Sequence, residues 1–519
     1  MGRVVAVVGG GISGLAAARV LGGGSPVSAH GHAGAALEQG DGRLSASTDM
    51  EVVVLEAAER FGGKIASAEF RGRQVDFGPD NFLTRDPSAA ELCHHLGIGD
   101  DLVAPVTSSA SVLARGRLRP LPSGLVLGIP TELRALAHSG IVSGPGLVRA
   151  ALDLVMPGAR IGASNVGLCE AEAGNGSTSG SRLSEGAAGT PDREGPEWNA
   201  AAVLERRLGR EVVEHLVDPL LGGINAGRTD QLSLGVVAPQ VAQALAGERS
   251  VIRALRPLAS DPPGTRARAG ARPLFLGLHG GLSRMVDALV ANLREEGVTL
   301  LTGTGVTSLR RTGGRYELDT PSRTVVADGV VLAMPAYEAA RLLVDDVPVA
   351  AAELGSIPYS SVVLVTLAWR SSSISPLPAG SGFLVPRREG RMITGCTFMS
   401  AKWPHTAAPG EVVIRVSTGR YGDERPSAMP DEEVLEQVLD ELRGLIDVSA
   451  PPLTSVVRRW PRAFPQYLPG HRRRVDRAQT ALGELPGLAI GGAMVGGIGI
   501  AACVKSGERA ALTVLDRLR

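Results

Sequence analysis

The chain has 519 residues, and its 53 lysines and arginines balance 53 aspartates and glutamates, so its formal net charge is zero. This length predicts two or three domains rather than one core, and the neutral balance disfavours nucleic acid or an acidic membrane surface as a partner. Four widely separated cysteines without a CxxC pair argue against a disulfide framework or a zinc site and suit a reducing compartment: Cys93, Cys169, Cys396 and Cys503.

The first element is a continuous apolar run, Val4–Val8, which predicts a parallel strand covered on both faces. The run is too short for a signal peptide, and no run in the chain reaches the roughly 18 apolar residues of a membrane span. Ile12–Leu21 predicts the helix that follows. Between them, Gly9, Gly11 and Gly14 form GxGxxG, whose glycines permit a tight turn, close approach to a pyrophosphate and close packing of helix on strand. The free N–H groups at the start of the helix would bind the phosphates, so the sequence predicts a dinucleotide-binding unit.

Such a unit needs an acidic residue at the end of its second strand, where the carboxylate binds a ribose diol. Met50–Ala57 predicts that strand, and it carries Glu56 near its end. Glu38 has the more usual distance from the glycines, but no strand precedes it. We therefore expect Glu56 to bind the ribose and Gly22–Asp49 to be a surface insertion.

A second glycine turn follows directly in AAERFGGK, with Gly62, Gly63 and Lys64. After it comes VDFGPDNF, Val75–Phe82. A simple NAD domain needs no such turn. A longer FAD molecule lying across the domain does, because the backbone must pass close to its ribityl chain and ring. An ordinary turn after a strand explains the same residues. Taken alone, the second glycine turn favours this ordinary turn over an FAD contact.

The chain changes character in its second half. Ser88–Leu220 predicts a helix-rich part with a low-complexity stretch, Gly162–Pro196, and Asp261–Arg272 is a further flexible segment. Strands are then predicted in VTLLTGTGVTSLRR, RYELDT, TVVADGVVLAMP, SVVLVTLAWR, SGFLVP and EVVIRVSTG. Pro430–Ile446 predicts a helix, and GLAIGGAM predicts a strand and glycine turn before the last helix, Ala501–Leu518.

Several motifs together resemble one group of flavoproteins. VVGGGISGLAAARVL with VVVLEAAERFGGK resembles the FAD-binding start of the amine oxidase superfamily, which includes monoamine oxidases, carotenoid desaturases and protoporphyrinogen oxidases. VDFGPDNFL and LVDPLLGGINAGRTDQLSL resemble segments of the protoporphyrinogen and coproporphyrinogen oxidases within it. So do FLGLHGGLSRMVDAL, RWPRAFPQYLPGHRRRV and GLAIGGAMVGGIGIAACVKSGERAA. The matches run in family order from residue 4 to about residue 515, and the low-complexity insertions lie outside them.

The resemblance implies a mixed α/β and α+β fold. Its centre would be a Rossmann-like FAD-binding domain of the amine oxidase type, discontinuous in sequence, with a sheet-containing substrate domain and a helical domain. The implied segments are residues 1–87 (FAD-binding, with 22–49 as a flexible insertion), 88–214 (helical, with 162–196 as a low-complexity loop), 215–335 (FAD-binding), 336–455 (substrate-binding) and 456–519 (FAD-binding).

FAD is the cofactor that the resemblance implies. It places the first glycine turn on the pyrophosphate, the acid of the second strand on the adenosine ribose, and a later backbone segment on the adenine. The second glycine turn would lie along the flavin, and the turn before the last helix would lie beneath the isoalloxazine. The N-terminus of that helix would stabilise negative charge at the N1–C2=O edge of a reduced flavin. The implied cofactor-binding residues are Gly9, Gly10, Gly11, Ile12, Ser13, Gly14, Glu56, Ala57, Lys64, Gly78, Pro79, Asp80, Asn81, Val306, Ile498, Gly499 and Ile500.

Fewer substrate contacts are implied. GSGFLVP resembles a family strand on which Gly382 and Leu384 would sandwich the substrate macrocycle, and a plain core strand is the alternative. Propionates need cationic partners, ideally forked ones. For each candidate taken singly, a solvated surface arginine is the favoured interpretation: Arg85, Arg117, Arg119, Arg387 and Arg388. His471 is expected to be a structural histidine in a turn, and the adjacent His94 and His95 point apart on a helix. We expect no catalytic side chain and no metal site.

The resemblance implies FAD-dependent oxidation of a porphyrinogen to the porphyrin in haem biosynthesis, with oxygen as electron acceptor. The flavin would take hydride from a ring-bridging carbon in three successive rounds, while a pyrrole N–H loses a proton. Coproporphyrinogen III and protoporphyrinogen IX both stay open as substrates, and the lack of a basic amphipathic helix favours the former. The alternatives are an amine oxidase, a carotenoid desaturase and a non-catalytic flavoprotein.

The expected partners follow from that interpretation. They are the porphyrinogen and oxygen, with no nucleic acid. The resemblance also allows a homodimer, peripheral membrane contact and transient handover of the product to a ferrochelatase. The expected location is the cytoplasm, with room for contact at the inner face of the cell membrane.

Overall fold

The computed structural model describes residues 2–27, 50–156, 197–259 and 273–518. The predicted segments Gly162–Pro196 and Asp261–Arg272, residues 28–49 of the predicted insertion, Glu38 and Cys169 lie outside the described residues. The strands are β1 (Arg3–Val8), β2 (Met50–Leu55), β3 (Ser67–Phe70), β4 (Arg73–Asp76), β5 (Phe82–Leu83), β6 (Leu102–Val103), β7 (Ser111–Ala114), β8 (Arg117–Pro120), β9 (Leu125–Val126), β10 (Ile129–Pro130), β11 (Phe275–Leu278), β12 (Thr299–Leu301), β13 (Ser308–Thr312), β14 (Arg315–Asp319), β15 (Thr324–Ala327), β16 (Gly329–Leu332), β17 (Tyr359–Arg370), β18 (Gly382–Leu384), β19 (Ile393–Thr397), β20 (Glu411–Thr418), β21 (Thr454–Pro465) and β22 (Leu488–Ile490).

The helices are α1 (Ile12–Leu21), α2 (Ser88–His95), α3 (Leu133–Ser139), α4 (Gly144–Ala151), α5 (Ala200–Leu208), α6 (Arg210–Val212, continued by a π-helix at Val213–Gly222), α7 (Leu234–Val237), α8 (Pro239–Leu245), α9 (Val251–Leu255), α10 (Ser283–Glu295), α11 (Ala336–Leu343), α12 (Pro348–Gly355), α13 (Met399–Lys402), α14 (Arg425–Ala428), α15 (Asp431–Arg443), α16 (His471–Leu482), α17 (Ala493–Gly496) and α18 (Ile500–Leu518). This mixture of helices and sheets confirms the coarse fold class predicted from the sequence.

A five-stranded parallel sheet has the order β12-β2-β1-β16-β22. Val8 in β1 is opposite Leu55 on one side and Leu332 on the other, so the carboxyl ends of these strands lie together. The strands come from three distant stretches of the chain, residues 3–55, 299–332 and 488–490. β16 pairs with β1, and β22 pairs with β16 to form the edge of the sheet. Loops that follow the strands therefore meet at one edge, which is where such sheets bind ligands.

Both faces of this sheet are covered, since alternate side chains of β1 point to opposite sides. Val5 and Val7 pack with α1, α10 and α18 in one core. Ala6 and Val8 pack in another core with the β13-β14-β15 sheet and with α11, α12 and α16. The first strand is apolar throughout for this reason.

A second sheet has seven strands in the order β21-β17-β20-β19-β18-β7-β8. β17 pairs antiparallel with β20 and β21, whereas β18 pairs parallel with β7. α15 covers one face through Val434, Val438 and Leu442. The prediction that Ser88–Leu220 is helix-rich is wrong for residues 102–130, which form β6 to β10. Strands of two to four residues are too short to show a period of two in the sequence.

The helical layer packs around a third core, built from α3 to α9 and the π-helix. Leu216 of the π-helix, Leu234 of α7 and Leu255 of α9 belong to this core. Helical packing thus continues beyond residue 214, where the helical segment was expected to end. The domain boundaries themselves stay predictions.

The longest helix in the described ranges is α18, which has 19 residues and begins at Ile500, one residue before the predicted start. Its sequence includes Lys505, Glu508 and Arg509. Across the described residues, no helix combines the length and the apolar character that crossing a membrane requires.

Candidate functional site

The first glycine turn joins β1 to α1. Gly9 has φ of +108°, and a Cβ atom there would lie 2.6 Å from the Ala333 carbonyl oxygen. A Cβ atom on Gly14 would lie 1.8 Å from the Gly9 carbonyl oxygen, so contacts within the protein require glycine at both positions. Gly11 differs, because no protein atom lies within 4 Å of the point where its Cβ would be. The turn is therefore open on the side that a pyrophosphate would approach.

Glu56 lies beside that turn. β2 ends at Leu55, two residues earlier than predicted, and Glu56 follows it directly. Its carboxylate accepts hydrogen bonds from the Gly10 N–H at 2.6 Å and the Ala58 N–H at 2.8 Å. The Gly62 N–H donates to the Gly10 carbonyl oxygen at 2.8 Å, so the second glycine turn is bonded to the first. The structure thus brings together the predicted acid and the two predicted glycine turns.

Val306, the residue expected at the adenine, lies close to the end of the same strand. A Cβ atom on Gly305 would be 3.3 Å from Cβ of Ala57. Val306 is buried, and its carbonyl oxygen accepts a hydrogen bond from Arg341 at 2.9 Å. The segments expected to bind the adenosine half of the cofactor are therefore adjacent.

Lys64 follows the second glycine turn directly. Its side chain has open surface, yet burial among protein groups lowers the pKa of its ammonium group, with Cys503 opposing that shift. A side chain that faces an internal space would show both the open surface and the lowered pKa. A Cβ atom on Gly78 would lie 2.1 Å from the Lys64 carbonyl oxygen, so these two predicted flavin contacts are in direct backbone contact. Pro79 and Asn81 beside Gly78 are half-buried.

Asp80 holds this turn through its side chain. Its carboxylate accepts hydrogen bonds from Lys402 at 2.7 Å, from the Trp403 indole N–H at 2.8 Å and from Arg415 at 2.8 Å. Burial raises the pKa of Asp80, but the two cations and the indole more than offset burial, so its pKa lies below the ordinary value. Arg415 also donates to the Gly78 carbonyl oxygen at 2.8 Å. Asp80 therefore anchors the turn to the second sheet, and its three partners were not indicated by the sequence.

The last helix packs against the first. A Cβ atom on Gly507 in α18 would lie 1.9 Å from the Ser13 carbonyl oxygen in α1. Gly499 precedes α18, and the space around its would-be Cβ is open, as at Gly11. The start of α1 therefore packs against the third turn of α18, and each helix is preceded by a glycine that faces free space. Of the other predicted residues here, Ile12 and Ile500 are buried and Ile498 is half-buried.

Tyr467 fixes the turn before the last helix, and sequence reasoning did not single it out. Its hydroxyl donates to the Ala493 carbonyl oxygen at 2.6 Å and accepts from the Gly497 N–H at 3.0 Å. Burial raises its pKa well above the ordinary value. The available signal was the segment RWPRAFPQYLPGHRRRV, where this tyrosine stands four residues before a histidine.

These features fit an elongated dinucleotide such as FAD. Gly11 and Gly499 leave space at two helix N-termini, where free N–H groups and the helix dipole favour phosphate and a negatively charged ring edge. Glu56 stands beside the first glycine turn, and Lys64 is close enough to Cys503 of α18 for the two side chains to interact electrostatically. A Cβ atom at Gly11 or Gly499 would project into space that no protein atom uses.

The predicted substrate strand is β18. Gly382 has φ of +144°, and its Cβ would lie 2.0 Å from the Cys396 carbonyl oxygen, so strand pairing already requires glycine there. This favours the core-strand alternative for Gly382. Leu384 is half-buried, packs on the helical core and lies 3.3 Å from the would-be Cβ of Gly395. Contact of Gly382 and Leu384 with a macrocycle stays a prediction.

The five candidate arginines do not converge on one point. Arg387 pairs with Asp230 at 3.4 Å, and Arg388 pairs with Glu214 at 2.8 Å. Of the other candidates, Arg119 donates to the Ala114 carbonyl oxygen at 3.3 Å, and Arg85 and Arg117 are exposed.

His471 is the first residue of α16, so the expectation that it lies in a turn is wrong. Gly470, with φ of +85°, forms the turn and lets the helix begin at the next residue. His471 is fully buried, and burial, followed by the nearby Arg474, lowers its pKa to about 4. The His95 Nδ1–H donates a hydrogen bond to the Glu91 carbonyl oxygen at 2.8 Å. The described part of the chain contains no group of three or more side chains arranged to bind a metal.

The fold and the site define a class, the FAD-dependent oxidoreductases. A family model for flavin containing amine oxidoreductases matches residues 12–515, and the chain belongs to this family. The match confirms the predicted family and the predicted cofactor.

Similar proteins cover the whole chain. A coproporphyrinogen III oxidase of Bacillus subtilis (strain 168) is 31% identical over 99% of this chain and 98% of the relative. Another, from Propionibacterium freudenreichii subsp. freudenreichii, is 32% identical over 98% of this chain and 90% of the relative. A crystal structure from Exiguobacterium sp. 255-15, of a protein named provisionally as a protoporphyrinogen oxidase, has a TM-score of 0.78 at 28% identity, with 99% of both chains covered. The amine-oxidase-type FAD-binding fold is therefore shared from end to end.

Proposed function

We propose that this chain oxidises coproporphyrinogen III to coproporphyrin III in haem biosynthesis, with oxygen as the electron acceptor. The observation that carries the proposal is its near full-length similarity to two coproporphyrinogen III oxidases at more than 30% identity. Protoporphyrinogen IX is the second substrate to test, because the similar crystal structure bears that name.

Two exposed apolar side chains next to the site suit an apolar macrocycle. Leu83, which is 46% exposed, follows closely on the turn that contains Gly78. Ile224, which is 52% exposed, lies in the helical turn that opens the loop at residues 223–227, directly after the π-helix. Gln466 donates a hydrogen bond to the Asn225 carbonyl oxygen at 3.1 Å, so this loop is tied to the segment that contains Tyr467. A bound tetrapyrrole would remove such apolar surface from water.

Bound FAD supplies the two-electron acceptor for this chemistry. The residues of the chain would bind and orient it: Gly11 gives the pyrophosphate access to the start of α1, and Glu56 accepts hydrogen bonds from the ribose. Lys64 and the N-terminus of α18 would favour negative charge at the flavin ring, because a cation and a helix N-terminus both stabilise an anion. Tyr467 would keep the turn at Gly497 in place.

Anaerobic mixing of the purified holoprotein with coproporphyrinogen III, and separately with protoporphyrinogen IX, tests the proposal. We expect the visible absorbance of the flavin to be bleached, to return when air is admitted, and porphyrin fluorescence to appear, with the higher kcat/KM for coproporphyrinogen III. A primary amine and a carotenoid precursor are the control substrates for the other branches of the superfamily. Absence of bleaching with both porphyrinogens would refute an oxidase of this class, and bleaching by protoporphyrinogen IX alone would refute the substrate assignment.

The reaction does not depend on the remaining expectations. A cytoplasmic location with contact at the inner face of the membrane, a homodimer and handover to a ferrochelatase all stay predictions. So do the domain boundaries and the individual cofactor contacts.

A further inference from the structure

A cleft of about 370 Å³ lies between the π-helix Val213–Gly222 and the turn that follows β18. Asp218, Asp230 and Arg387 are among the residues that line it. Arg387 comes three residues after Leu384, so the cleft begins where the predicted substrate strand ends. The charges around this cleft are not balanced.

Two of the arginines near the cleft share two aspartates. Arg228 binds the Asp230 carboxylate through two hydrogen bonds, of 3.0 and 2.7 Å. Arg387 contacts the same carboxylate at 3.4 Å and approaches Asp218 at 3.9 Å. The Asp218 carboxylate also accepts hydrogen bonds from the N–H and hydroxyl groups of Thr229, at 3.0 and 2.8 Å. Both aspartates are therefore already engaged.

Arg420 is left without a carboxylate. Asp423, the acid nearest to it along the chain, is bound by Arg425 through two hydrogen bonds of 2.7 Å. Within the described residues, the guanidinium group of Arg420 has no salt bridge and no hydrogen bond. Arg228, Arg387, Arg420 and Arg425 thus share three aspartates, and one positive charge is in excess.

The wider surroundings do not supply the missing negative charge. Glu214 pairs with both Arg210 and Arg388, at 2.5 and 2.8 Å. Glu205 is the other acid that lines the cleft. Glu205 and Glu214 together balance the charges of Arg210 and Arg388. The one excess positive charge among the four arginines and three aspartates described above therefore remains.

The environment of Arg420 makes that charge costly. Arg420 is half-buried, and burial lowers its pKa. Asp218 and Asp423 oppose the shift, whereas Arg387 and Arg425 add to it. An arginine does not lose its proton in a protein, so the charge persists and needs an anion to compensate for its desolvation.

Arg420 is also placed next to the predicted substrate strand. It follows β20 by two residues, and Ser417 in β20 is opposite Gly395 in β19. Gly395 in turn pairs with Leu384. The Tyr421 N–H donates to the Ala226 carbonyl oxygen at 2.8 Å, which ties the Arg420 turn to the loop that carries Ile224.

We propose that Arg420, with Arg387 beside it, binds one carboxylate of the tetrapyrrole substrate and thereby positions the macrocycle. This inference rests on the proposed function and assigns a propionate partner that is not among the five arginines suggested by the sequence. A carboxylate matches the forked guanidinium group in two parallel hydrogen bonds, which lysine does not reproduce. Coproporphyrinogen III has two more propionates than protoporphyrinogen IX, so a cation here also favours the former.

Steady-state kinetics of the FAD-loaded variants Arg420→Gln and Arg420→Lys test the proposal. Loss of a charge-assisted hydrogen bond predicts a rise of about 10- to 100-fold in KM for coproporphyrinogen III in Arg420→Gln, with kcat nearly unchanged. Arg420→Lys should lie between that variant and the wild type. Arg443→Gln, which removes an exposed arginine of α15, is the matched control and should leave KM unchanged. An unchanged KM in Arg420→Gln would overturn the proposal.

A second measurement does not need turnover. Removing an uncompensated charge should raise the Tm of Arg420→Met above that of the wild type without substrate, and coproporphyrin III should stabilise the wild type more than the variant. If porphyrin stabilises the wild type in this way but no porphyrinogen is oxidised, the proposed function fails and the carboxylate site stands. If Arg420→Met lowers Tm and porphyrin stabilises both proteins equally, Arg420 is structural and the inference is wrong.

Discussion

The carbonyl oxygen of Ser13 lies 1.9 Å from the point that a Cβ atom on Gly507 would occupy. The first and last helices of the described chain therefore touch backbone to backbone, at the second residue of α1 and the eighth residue of α18. Side chains of ordinary size would separate them. The close contact depends on a hydrogen atom at Gly507 in place of a methyl group.

Gly507→Ala should therefore separate α1 from α18. We expect a destabilisation of roughly 1–3 kcal/mol, as for overpacked cores, together with weaker retention of FAD because the two helix N-termini move apart. Thermal unfolding and the ratio of flavin to protein absorbance measure both effects. Gly444→Ala is the matched control, because its Cβ would lie 3.7 Å from the nearest atom. A Gly507→Ala protein with normal Tm and a full complement of flavin would contradict the expectation.

Gly11→Val should fold but lose the cofactor. Gly11 has φ of −72° and ψ of 175°, a conformation open to any residue, and free space surrounds its would-be Cβ. The valine side chain would fill the space that the pyrophosphate needs. We expect a colourless protein with an ordinary circular dichroism spectrum. Gly14→Ala is the comparison, since its Cβ would meet the Gly9 carbonyl oxygen at 1.8 Å and disrupt folding itself. A yellow Gly11→Val protein would show that the cofactor lies elsewhere.

Tyr467→Phe removes both hydrogen bonds that hold the turn before α18. The Ala493 carbonyl oxygen and the Gly497 N–H lose their partner, at a cost of about 1–3 kcal/mol. We expect a lower Tm, weaker FAD binding and a changed flavin absorbance spectrum. Tyr316→Phe is the control: Tyr316 is fully buried and donates at 2.8 Å to the carbonyl oxygen of Pro486, which precedes β22, whereas Ala493 follows that strand. It should lose stability without a spectral change, and equal spectra for the two variants would rule out a role for Tyr467 at the flavin.

Asp76→Asn should change how stability depends on pH. Burial raises the pKa of Asp76 to about 6, against hydrogen bonds from the Ser67 hydroxyl at 2.5 Å and the Leu282 N–H at 2.9 Å. Because the pKa in the folded state exceeds the unfolded value, the protonated acid contributes stability below about pH 4, and this contribution is lost as pH rises through about 6. The asparagine oxygen can accept both hydrogen bonds and never ionises. The variant should therefore gain up to roughly 3 kcal/mol relative to the wild type between about pH 4 and pH 7.

Thermal unfolding of the holoprotein over that pH range measures this difference. Asp440→Asn is the control, because the Asp440 side chain is 76% exposed and should show no such trend. Parallel pH profiles of Asp76→Asn and the wild type would refute the expectation.

Local patterns identified the glycine turns and the acid that the fold brings together at the carboxyl end of the parallel sheet. The spacing of the glycines and the position of Glu56 after an apolar run depend on residues that are neighbours in the chain, so one sequence reveals them. Asp80 was predicted as a cofactor contact, but its anchoring by Lys402 joins residues 322 positions apart, which no local pattern shows. Arg420 escaped notice for a similar reason, because only the folded structure shows that the acids around it are already taken.

Gly382 illustrates a different limit. A glycine that strand pairing requires and a glycine that a ligand requires look the same in a single sequence. The distance of 2.0 Å to the Cys396 carbonyl oxygen separates the two explanations, and it exists only in three dimensions. At Gly11 no protein atom lies within 4 Å of the would-be Cβ, so there the measurement favours a ligand rather than packing as the reason for glycine.

The order of strands β12-β2-β1-β16-β22 has a consequence for biosynthesis on the ribosome. β1 and α1 emerge early, but the edge strand β22 and the helix that packs on α1 are translated several hundred codons later. Until then the apolar faces of the nascent β1 and α1 lack some of their native neighbours, among them Val504, Ala511 and Val514 of α18. We therefore expect flavin capture to be a late maturation step, and chains truncated before β22 to stay colourless.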